Sequence, residues 1–176
     1  MTATIDATVG GASANSYVTL AAANTYFETT PESSTWTDKT DDAKNRALIS
    51  ATRWLDTLSY YGDRCATDQA LKWPRKNYTV DDIDLVCTLI PEQIKVATYE
   101  LARALANDTN AITGSTGTTG LYDEVSLGDL RVKYNKSSQA VGLVTNAFDV
   151  YPWLQSYLGA YCMGGASNYA VRLKRG

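Results

Sequence analysis

Apolar residues recur at helical spacing in two long segments of the chain. From Asp41 to about Leu58, and again from Pro91 to about Ala106, apolar positions fall three or four residues apart. This spacing predicts two amphipathic helices that pack antiparallel through their apolar stripes. The first stripe contains Leu48, Ala51, Leu55 and Leu58, and the second contains Ile94, Ala97, Leu101, Ala104 and Leu105.

Capping residues indicate where these helices begin and end. Thr40 precedes the first long helix and Thr19 precedes a shorter helix from Leu20 to about Phe27, and threonine is a favoured N-cap residue. Pro91 suits the first turn of the second long helix. Gly62 suits the left-handed residue after a helix, so the first long helix is expected to end through Tyr60 to Gly62.

The stretch from Gln69 to Arg75 joins the two long helices and contains the dipeptide Trp73-Pro74. Proline biases the residue before it towards extended geometry, so Trp73 is expected to lie outside the helices. We interpret its indole as a hydrophobic plug between them. The predicted structural hinge consists of Leu71, Trp73, Pro74 and Arg75.

The segments outside the helices carry turn and loop residues. Residues 29–39 and 76–90 are predicted loops, and residues 107–120 are a polar linker of Gly, Ser and Thr. Val125 to Tyr134 alternates around Gly128-Asp129, which predicts a β-hairpin with a two-residue turn. A last short helix is expected from Phe148 to Leu158, with Trp153, Leu154, Tyr157 and Leu158 available for burial.

The predicted fold is mainly α: a small antiparallel helical bundle with one inserted β-hairpin and extended N- and C-terminal arms. The chain has 176 residues, which suits one domain. We assign a flexible N-terminal arm to residues 1–13, a helical domain to residues 14–159 with its hairpin at about 124–134, and a C-terminal tail to residues 160–176.

The charge of the chain is unevenly distributed. It has 16 basic and 19 acidic residues, for a net charge of −3. Arg172, Lys174 and Arg175 lie at its end and no acidic residue follows Asp149, so the chain up to Val171 carries 13 − 19 = −6. This balance argues against a nucleic-acid coat protein, which needs a basic face.

No pattern in the sequence indicates catalysis or a cofactor. Histidine is absent, and a structural zinc site needs about four Cys or His ligands. The spacing of Asp81, Asp82 and Asp84 does not match a calcium-binding EF-hand loop, so we interpret them as a solvated acidic loop. No phosphate loop or nucleophile elbow occurs. We therefore expect no enzyme activity, no cofactor and no metal.

Cysteine usage and hydropathy bear on the compartment. Three cysteines are widely spaced, Cys65, Cys87 and Cys162, and we expect them to be free thiols in a reducing cytosol. The N-terminus lacks the pattern of a signal peptide. No uncharged apolar run approaches the roughly 20 residues that a membrane-spanning helix needs, so no membrane contact is expected.

Four segments together resemble a known family. They are Ala14-Asn-Ser-Tyr-Val18, Ala51-Thr-Arg-Trp-Leu-Asp56, the stretch from Gln69 to Arg75, and Ile90-Pro91 opening a helix. In this order they resemble tailed-bacteriophage head–tail connector (adaptor) proteins, a family often labelled DnaT-like single-stranded-DNA-binding proteins. The resemblance covers residues 14–106 well, and none of its motifs is catalytic.

The resemblance implies a structural role in the virion. Connector proteins form a ring, here of about twelve copies, under the portal protein and above a tail or nozzle protein. Genomic DNA would pass through the lumen of the ring without specific binding. The chain would be made in the host cytoplasm and reside in the virion neck, at the head–tail interface.

Within this interpretation the C-terminal tail is a candidate contact segment. Its apolar and basic residues alternate, which suits an extended strand added to the sheet edge of a partner. We expect it to order on the portal or on a neighbouring subunit. The candidate contact residues are Tyr169, Val171, Arg172, Leu173, Lys174 and Arg175.

The alternative is a single-stranded-DNA-binding protein of phage replication. Such a protein needs aromatic residues interleaved with basic ones. Tyr78 lies beside Lys72, Arg75 and Lys76 in the sequence, although three aspartates follow directly. On these residues alone the connector is the preferred interpretation, and tight, salt-sensitive binding to oligonucleotides would reverse the order.

Overall fold

The computed structural model describes residues 3–31, 33–107, 124–127, 130–133 and 151–163. Its helices are α1 (Leu20–Glu28), α2 (Ser34–Thr37), α3 (Asp41–Leu55), α4 (Glu92–Asn107) and α5 (Leu154–Leu158). Its strands are β1 (Asp63–Arg64), β2 (Arg75–Lys76), β3 (Thr79–Val80), β4 (Ile83–Asp84), β5 (Glu124–Leu127) and β6 (Leu130–Lys133). The strands form three antiparallel pairs, β1–β2, β3–β4 and β5–β6. The fold therefore mixes helices with short strand pairs.

Helices α3 and α4 form the centre of the core, as their apolar stripes predict. They pack against each other, and α5 packs on α4. The predicted N-caps are confirmed, because Thr40 Oγ1 accepts from Ala43 N at 3.3 Å and Thr19 Oγ1 accepts from Ala22 N at 3.1 Å. The predicted stripe residues are buried, except that Ala104 is only partly buried.

The predicted loop over residues 29–39 is corrected, because it contains α2. Trp36 on this short helix is fully buried, and its ring lies 4.7 Å from that of Phe27. Its Nε1 donates to Asn24 Oδ1 at 2.9 Å, so the indole N–H is satisfied inside the core. A helix of four residues is too short for a periodic pattern, and burial of one tryptophan determines its position.

The end of α3 is also corrected, because the helix stops at Leu55 and not near Tyr60. Gly62 has a positive φ of 75°, as predicted, but it lies beside β1 and not at a helix end. A Cβ at this position would come within 2.5 Å of Lys76 O, so the close approach of β2 requires glycine there. The early end allows Asp56, the C-cap residue of α3, to reach other segments.

Of the hinge residues, Trp73 and Pro74 lie inside the core, and Leu71 and Arg75 are partly buried. Trp73 is 1% exposed, and its ring lies 5.4 Å from that of Tyr60 and 5.7 Å from that of Tyr161. The Trp73–Pro74 peptide bond is cis. Aromatic rings from two distant segments therefore surround the indole, a more specific arrangement than a plug between two helices.

Arg75 has a structural role at the same place. Its guanidinium donates to the carbonyl oxygens of Tyr61 at 2.7 Å and Tyr60 at 3.3 Å, and also to that of Gly62. A further bond reaches Lys72 O at 3.3 Å. One cation thus holds the turn before β1 against β2.

The N-terminal segment is bound to the domain from residue 3 onward, which corrects the prediction of a flexible arm there. Ala3 N donates to Asp42 Oδ1 at 2.7 Å, and Asn45 Nδ2 donates to Ala3 O at 2.9 Å. Asn15 Oδ1 accepts from Asp6 N at 2.9 Å. These polar contacts, together with Ile5 packed against the core, attach the segment to the domain.

Two of the three cysteines form a disulfide, which corrects the prediction of free thiols. Cys65 and Cys87 are bonded, and Cys162 is a buried free cysteine. Burial raises the pKa of the Cys162 thiol to about 12. The bridge attaches the turn after β1 to the segment between β4 and α4, two regions 22 residues apart in sequence.

The predicted β-hairpin is confirmed. Val125 pairs with Val132 and Leu127 pairs with Leu130, so the turn between the strands has two residues. Gly128 and Asp129 lie outside the described residues, as do residues 134–150, which contain the first part of the predicted last helix. The observed α5 begins at Leu154. In the described part of the chain, no helix is long and apolar enough to cross a membrane.

The predicted tail begins inside the fold. Tyr161 and Cys162 are buried, and Met163 N donates to Ser59 O at 2.7 Å. Residues 164–176 lie outside the described residues, and all six candidate contact residues from Tyr169 to Arg175 are among them. The division into arm, domain and tail is otherwise still a prediction.

Candidate nucleic-acid interface

A run of four aromatic rings lies between the end of α3 and α5. Trp54 contacts Tyr151 at 6.2 Å between ring centroids, Tyr151 contacts Trp153 at 5.8 Å, and Trp153 contacts Tyr157 at 6.3 Å. Trp153 is 37% exposed, and the other three are partly buried. We call these four residues the α5 surface. Its rings touch edge to face and form one continuous aromatic patch.

An open cavity of about 630 Å³ adjoins the α5 surface. We call it the α5 cavity. Helix α5 contributes an aromatic wall and α4 contributes a polar one. The lining residues are Thr35, Glu100, Arg103, Ala104, Asn107, Trp153, Ser156 and Tyr157.

Hydrogen bonds fix the polar wall of the α5 cavity. Glu100 accepts from Arg103 Nη2 at 2.7 Å and from the Tyr26 hydroxyl at 2.8 Å. Burial raises the pKa of Tyr26, so this hydroxyl stays protonated and keeps donating. Asn107 Nδ2 donates to Thr35 O at 3.2 Å and to Arg103 O at 2.8 Å. These side chains are therefore positioned before any ligand arrives.

Two arginines are close to the α5 surface, one in space and one in sequence. Arg103 lies in the cavity wall, and its guanidinium carbon is 5.8 Å from the centre of the Phe27 ring. Arg53, next to Trp54 in the last turn of α3, is exposed. Arginine binds phosphate through several N–H groups at once. Arg103 already donates to Glu100 at 2.7 Å, and the exposed Arg53 is linked to the α5 surface only by its place beside Trp54 in the sequence.

A second aromatic pair lies beside the β1–β2 strands. The rings of Tyr61 and Tyr78 are stacked 4.8 Å apart at 16°, and we call this pair and Lys76 the hairpin surface. Sequence reasoning had grouped Tyr78 with three cations, but two of them bind the fold. Lys72 Nζ donates to Leu58 O at 2.7 Å, and Arg75 holds the main-chain carbonyls described above. Lys76 is exposed.

Carboxylates surround the hairpin surface. Asp63 pairs in register with Lys76 across β1–β2, and Asp84 accepts from Thr79 Oγ1 at 2.6 Å. Asp81 and Asp82 are exposed in the turn between β3 and β4. Phosphate would approach this surface against four negative charges. The predicted cluster is therefore brought together in space but is poorly suited to bind DNA.

Asp56 connects three of the segments on which the family resemblance rests. Its carboxylate accepts from the Tyr17 hydroxyl, and from Lys72 N at 3.2 and 3.3 Å. Burial raises the pKa of Asp56, and it outweighs the opposing effect of these hydrogen bonds. Burial is also the main reason that the pKa of Tyr17 lies well above its usual value. Asp56 is structural, because its hydrogen bonds hold the fold together.

The raised pKa of Asp56 predicts a pH dependence of stability. A carboxyl group whose pKa is higher in the folded state disfavours folding once it ionises, so its effect appears as pH rises from about 3.9 through the folded-state pKa. Asp56→Asn removes this titration. We expect its stability relative to the wild type to increase across that window, measured by urea unfolding at several pH values. Asp38→Asn, at an exposed position, is the matched control. A relative stability that stays constant or falls with pH would refute the assignment.

Candidate metal ligands do not gather within the residues that the structure covers. No group of three or more His, Cys, Asp or Glu residues that could hold a metal ion occurs among them. Asp81, Asp82 and Asp84 are therefore not such a group, and Asp84 accepts a hydrogen bond from Thr79.

A comparison with protein families gives a match along the whole chain. The model of a family described as "Putative DnaT-like ssDNA binding protein" matches residues 1–176. The chain belongs to this family. No curated protein and no solved structure matches it.

Family membership corrects the connector interpretation. The family is described as binding single-stranded DNA, so the predicted identity as a head–tail connector and the predicted ring under a portal are wrong. The predicted partners, a portal protein, a tail or nozzle protein and DNA passing without specific binding, are corrected as well, because the family description names single-stranded DNA instead. The predicted location in the virion neck is also corrected, because it depended on the connector identity. Contact of the tail residues with a neighbouring subunit is not tested, because these residues lie outside the described part of the chain.

Sequence reasoning missed the α5 surface. It assigned Trp153 and Tyr157 to burial, whereas Trp153 is exposed enough to contact a ligand. The excess of 12 Tyr and 4 Trp over 2 Phe was the available signal. That excess indicates amphipathic aromatic contacts but does not say which rings meet.

Proposed function

We propose that this protein binds single-stranded DNA through the α5 surface, without a catalytic step. The observation that supports the site best is the continuous run of four aromatic rings, one of them 37% exposed, beside an open cavity. Single-strand binding relies on aromatic rings because every base has a face that can stack on them. The family description supports the ligand, and the aromatic run supports the site.

The charge distribution favours a binding mode based on stacking. The chain up to Val171 carries a net charge of −6, which opposes any broad electrostatic attraction to DNA. The exposed Arg53, next to Trp54 in the sequence, is the candidate for a local phosphate contact, since Arg103 is paired with Glu100. Affinity should therefore fall only gently with salt. For single strands, each phosphate contact lowers the logarithm of the binding constant by about 0.7 for every tenfold increase in salt concentration. A steep salt dependence would instead point to a basic face elsewhere.

The hairpin surface is the weaker candidate for the same function. Its stacked tyrosines resemble a base platform, but Lys72 and Arg75 are committed to main-chain carbonyls. Four aspartates lie around it.

We also propose that the helices form a small antiparallel bundle, with the α5 surface formed where α5 joins α3 and α4.

Substitution of rings in the α5 surface tests the proposed site. We expect Trp153→Ala to weaken binding of a fluorescein-labelled single strand about tenfold, because stacking on one aromatic side chain contributes about 1–3 kcal/mol per base. Tyr151→Ala should have a similar effect. Fluorescence anisotropy gives the affinities, and circular dichroism melting checks that each variant remains folded.

Matched tyrosine substitutions in the hairpin surface serve as controls. Tyr61→Ala and Tyr78→Ala should leave the affinity within about twofold of the wild type, and the duplex of the same sequence should bind more weakly because its bases are already stacked. Loss of binding in these two variants with normal binding by Trp153→Ala would move the site to the hairpin surface. Wild-type protein that binds no single strand would refute the function.

A further inference from the structure

We infer that the α5 cavity holds one nucleobase of the bound strand, taken out of the stack formed on the α5 surface. This inference rests on the proposed function, and it assigns to the cavity a role distinct from that of the aromatic run. The run would bind bases by their faces only. The cavity would bind one base by its face and by its edge.

The size and walls of the cavity suit a planar ring. At about 630 Å³ it falls within the range of roughly 300–1,000 Å³ found for small-molecule sites. Trp153 and Tyr157 provide the aromatic wall. Ala104 on α4 is a small residue in the lining. A base can therefore enter without displacement of a bulky residue.

The polar wall offers a fixed hydrogen-bond acceptor. Both N–H groups of the Asn107 amide are used, one on Thr35 O and the other on Arg103 O. The amide is therefore held in one orientation, and its Oδ1 remains able to accept. The hydroxyl of Ser156 adds a group that can donate or accept. Every nucleobase has at least one N–H on its Watson–Crick edge, so this wall suits the class as a whole.

The position of the cavity connects it to the aromatic run. Trp153 and Tyr157 are the last two rings of the run, and both also line the cavity. A strand lying along the α5 surface would bring a base directly to its mouth. Stacking and edge recognition would thus occur on adjacent nucleotides.

The test uses two ligands and a variant that fills the cavity. The ligands are deoxycytidine monophosphate and a mixed-sequence single-stranded oligonucleotide, and the readout is the indole N–H resonance of Trp153, assigned with Trp153→Phe. We expect both ligands to shift this resonance. Ala104→Leu should weaken binding of both at least tenfold, because its side chain occupies the space for the base. Ala21→Leu, at an exposed position of α1, is the matched control and should bind as the wild type does.

The outcomes separate the cavity from the function. An oligonucleotide that binds Ala104→Leu as tightly as the wild type would overturn the base pocket and leave binding on the α5 surface intact. One that binds without shifting Trp153 would overturn both the base pocket and the α5 surface as the binding site. A mononucleotide that shifts Trp153 and is excluded by Ala104→Leu, while the oligonucleotide fails to bind, would support the pocket and refute the function. No response to either ligand would overturn both.

Discussion

Trp73→Ala is expected to lower the free energy of unfolding by about 3–5 kcal/mol, the usual cost of truncating a buried tryptophan. The indole is 1% exposed and contacts the rings of Tyr60 and Tyr161, so its loss leaves a cavity where three segments meet. Urea unfolding followed by circular dichroism measures the change. A variant that unfolds at the wild-type urea concentration would show that these segments do not depend on the indole.

Trp73→Phe is the informative companion variant. Trp73 Nε1 is buried and has no hydrogen-bond partner among the described residues. A buried donor without a partner costs about 1–3 kcal/mol, and phenylalanine removes it while keeping most of the ring volume. We therefore expect Trp73→Phe to cost much less than Trp73→Ala. Both variants, where folded, should bind single-stranded DNA normally, because Trp73 is not part of the α5 surface. Equal losses from the two variants would indicate that the indole N–H has a partner.

Breaking the disulfide is the second large effect. Cys65→Ser with Cys87→Ser should lower the free energy of unfolding by about 3 kcal/mol, because the bridge closes a loop between residues 22 apart and restricts the unfolded chain. Each single variant should cost about as much as the double variant, since either one breaks the same bond. Urea unfolding without reductant measures the three values. Additive losses from the single variants would argue against a shared bond.

Alkylation provides an independent count of the thiols. The only free cysteine, Cys162, is buried with a pKa raised to about 12, so the native protein should not react with iodoacetamide near neutral pH. The unfolded protein should take one label without reductant and three with it, given 3 cysteines in the chain. Three labels without reductant would mean that the bridge is absent.

The proposed site depends on contacts that cross the whole chain. Trp54 belongs to α3 and Tyr151 to the segment before α5. No local sequence pattern around either residue predicts that their rings meet. The local sequence pattern instead indicated a DNA-binding cluster of Tyr78 and three nearby cations. The fold then uses Lys72 and Arg75 to satisfy main-chain carbonyls, so the local cluster loses most of its capacity for phosphate. A cation in a sequence motif is available to a ligand only if the fold does not bind it first.

Family resemblance was informative about the scaffold and misleading about the role. The quoted segments meet in space, because Tyr17 and Lys72 both bind Asp56 at the end of α3. Segments that hold a fold together persist whatever the surface does, so they carry little information about the ligand. The matching family is described by single-stranded DNA binding, and Trp54 is the one residue of the proposed α5 surface that belongs to these motifs.

The sequence by itself determined the helices α1, α3 and α4, the N-caps of α1 and α3, and the β5–β6 hairpin. These features depend on interactions within a few residues: apolar spacing on one helix face, a threonine hydroxyl on the third residue after it, and a two-residue turn. Only the tertiary structure decided the early end of α3, the burial of Trp36, the Cys65–Cys87 bridge and the α5 surface. Each of these arises because residues far apart in sequence come into contact, and the energy of such a contact depends on where the rest of the chain places its partners.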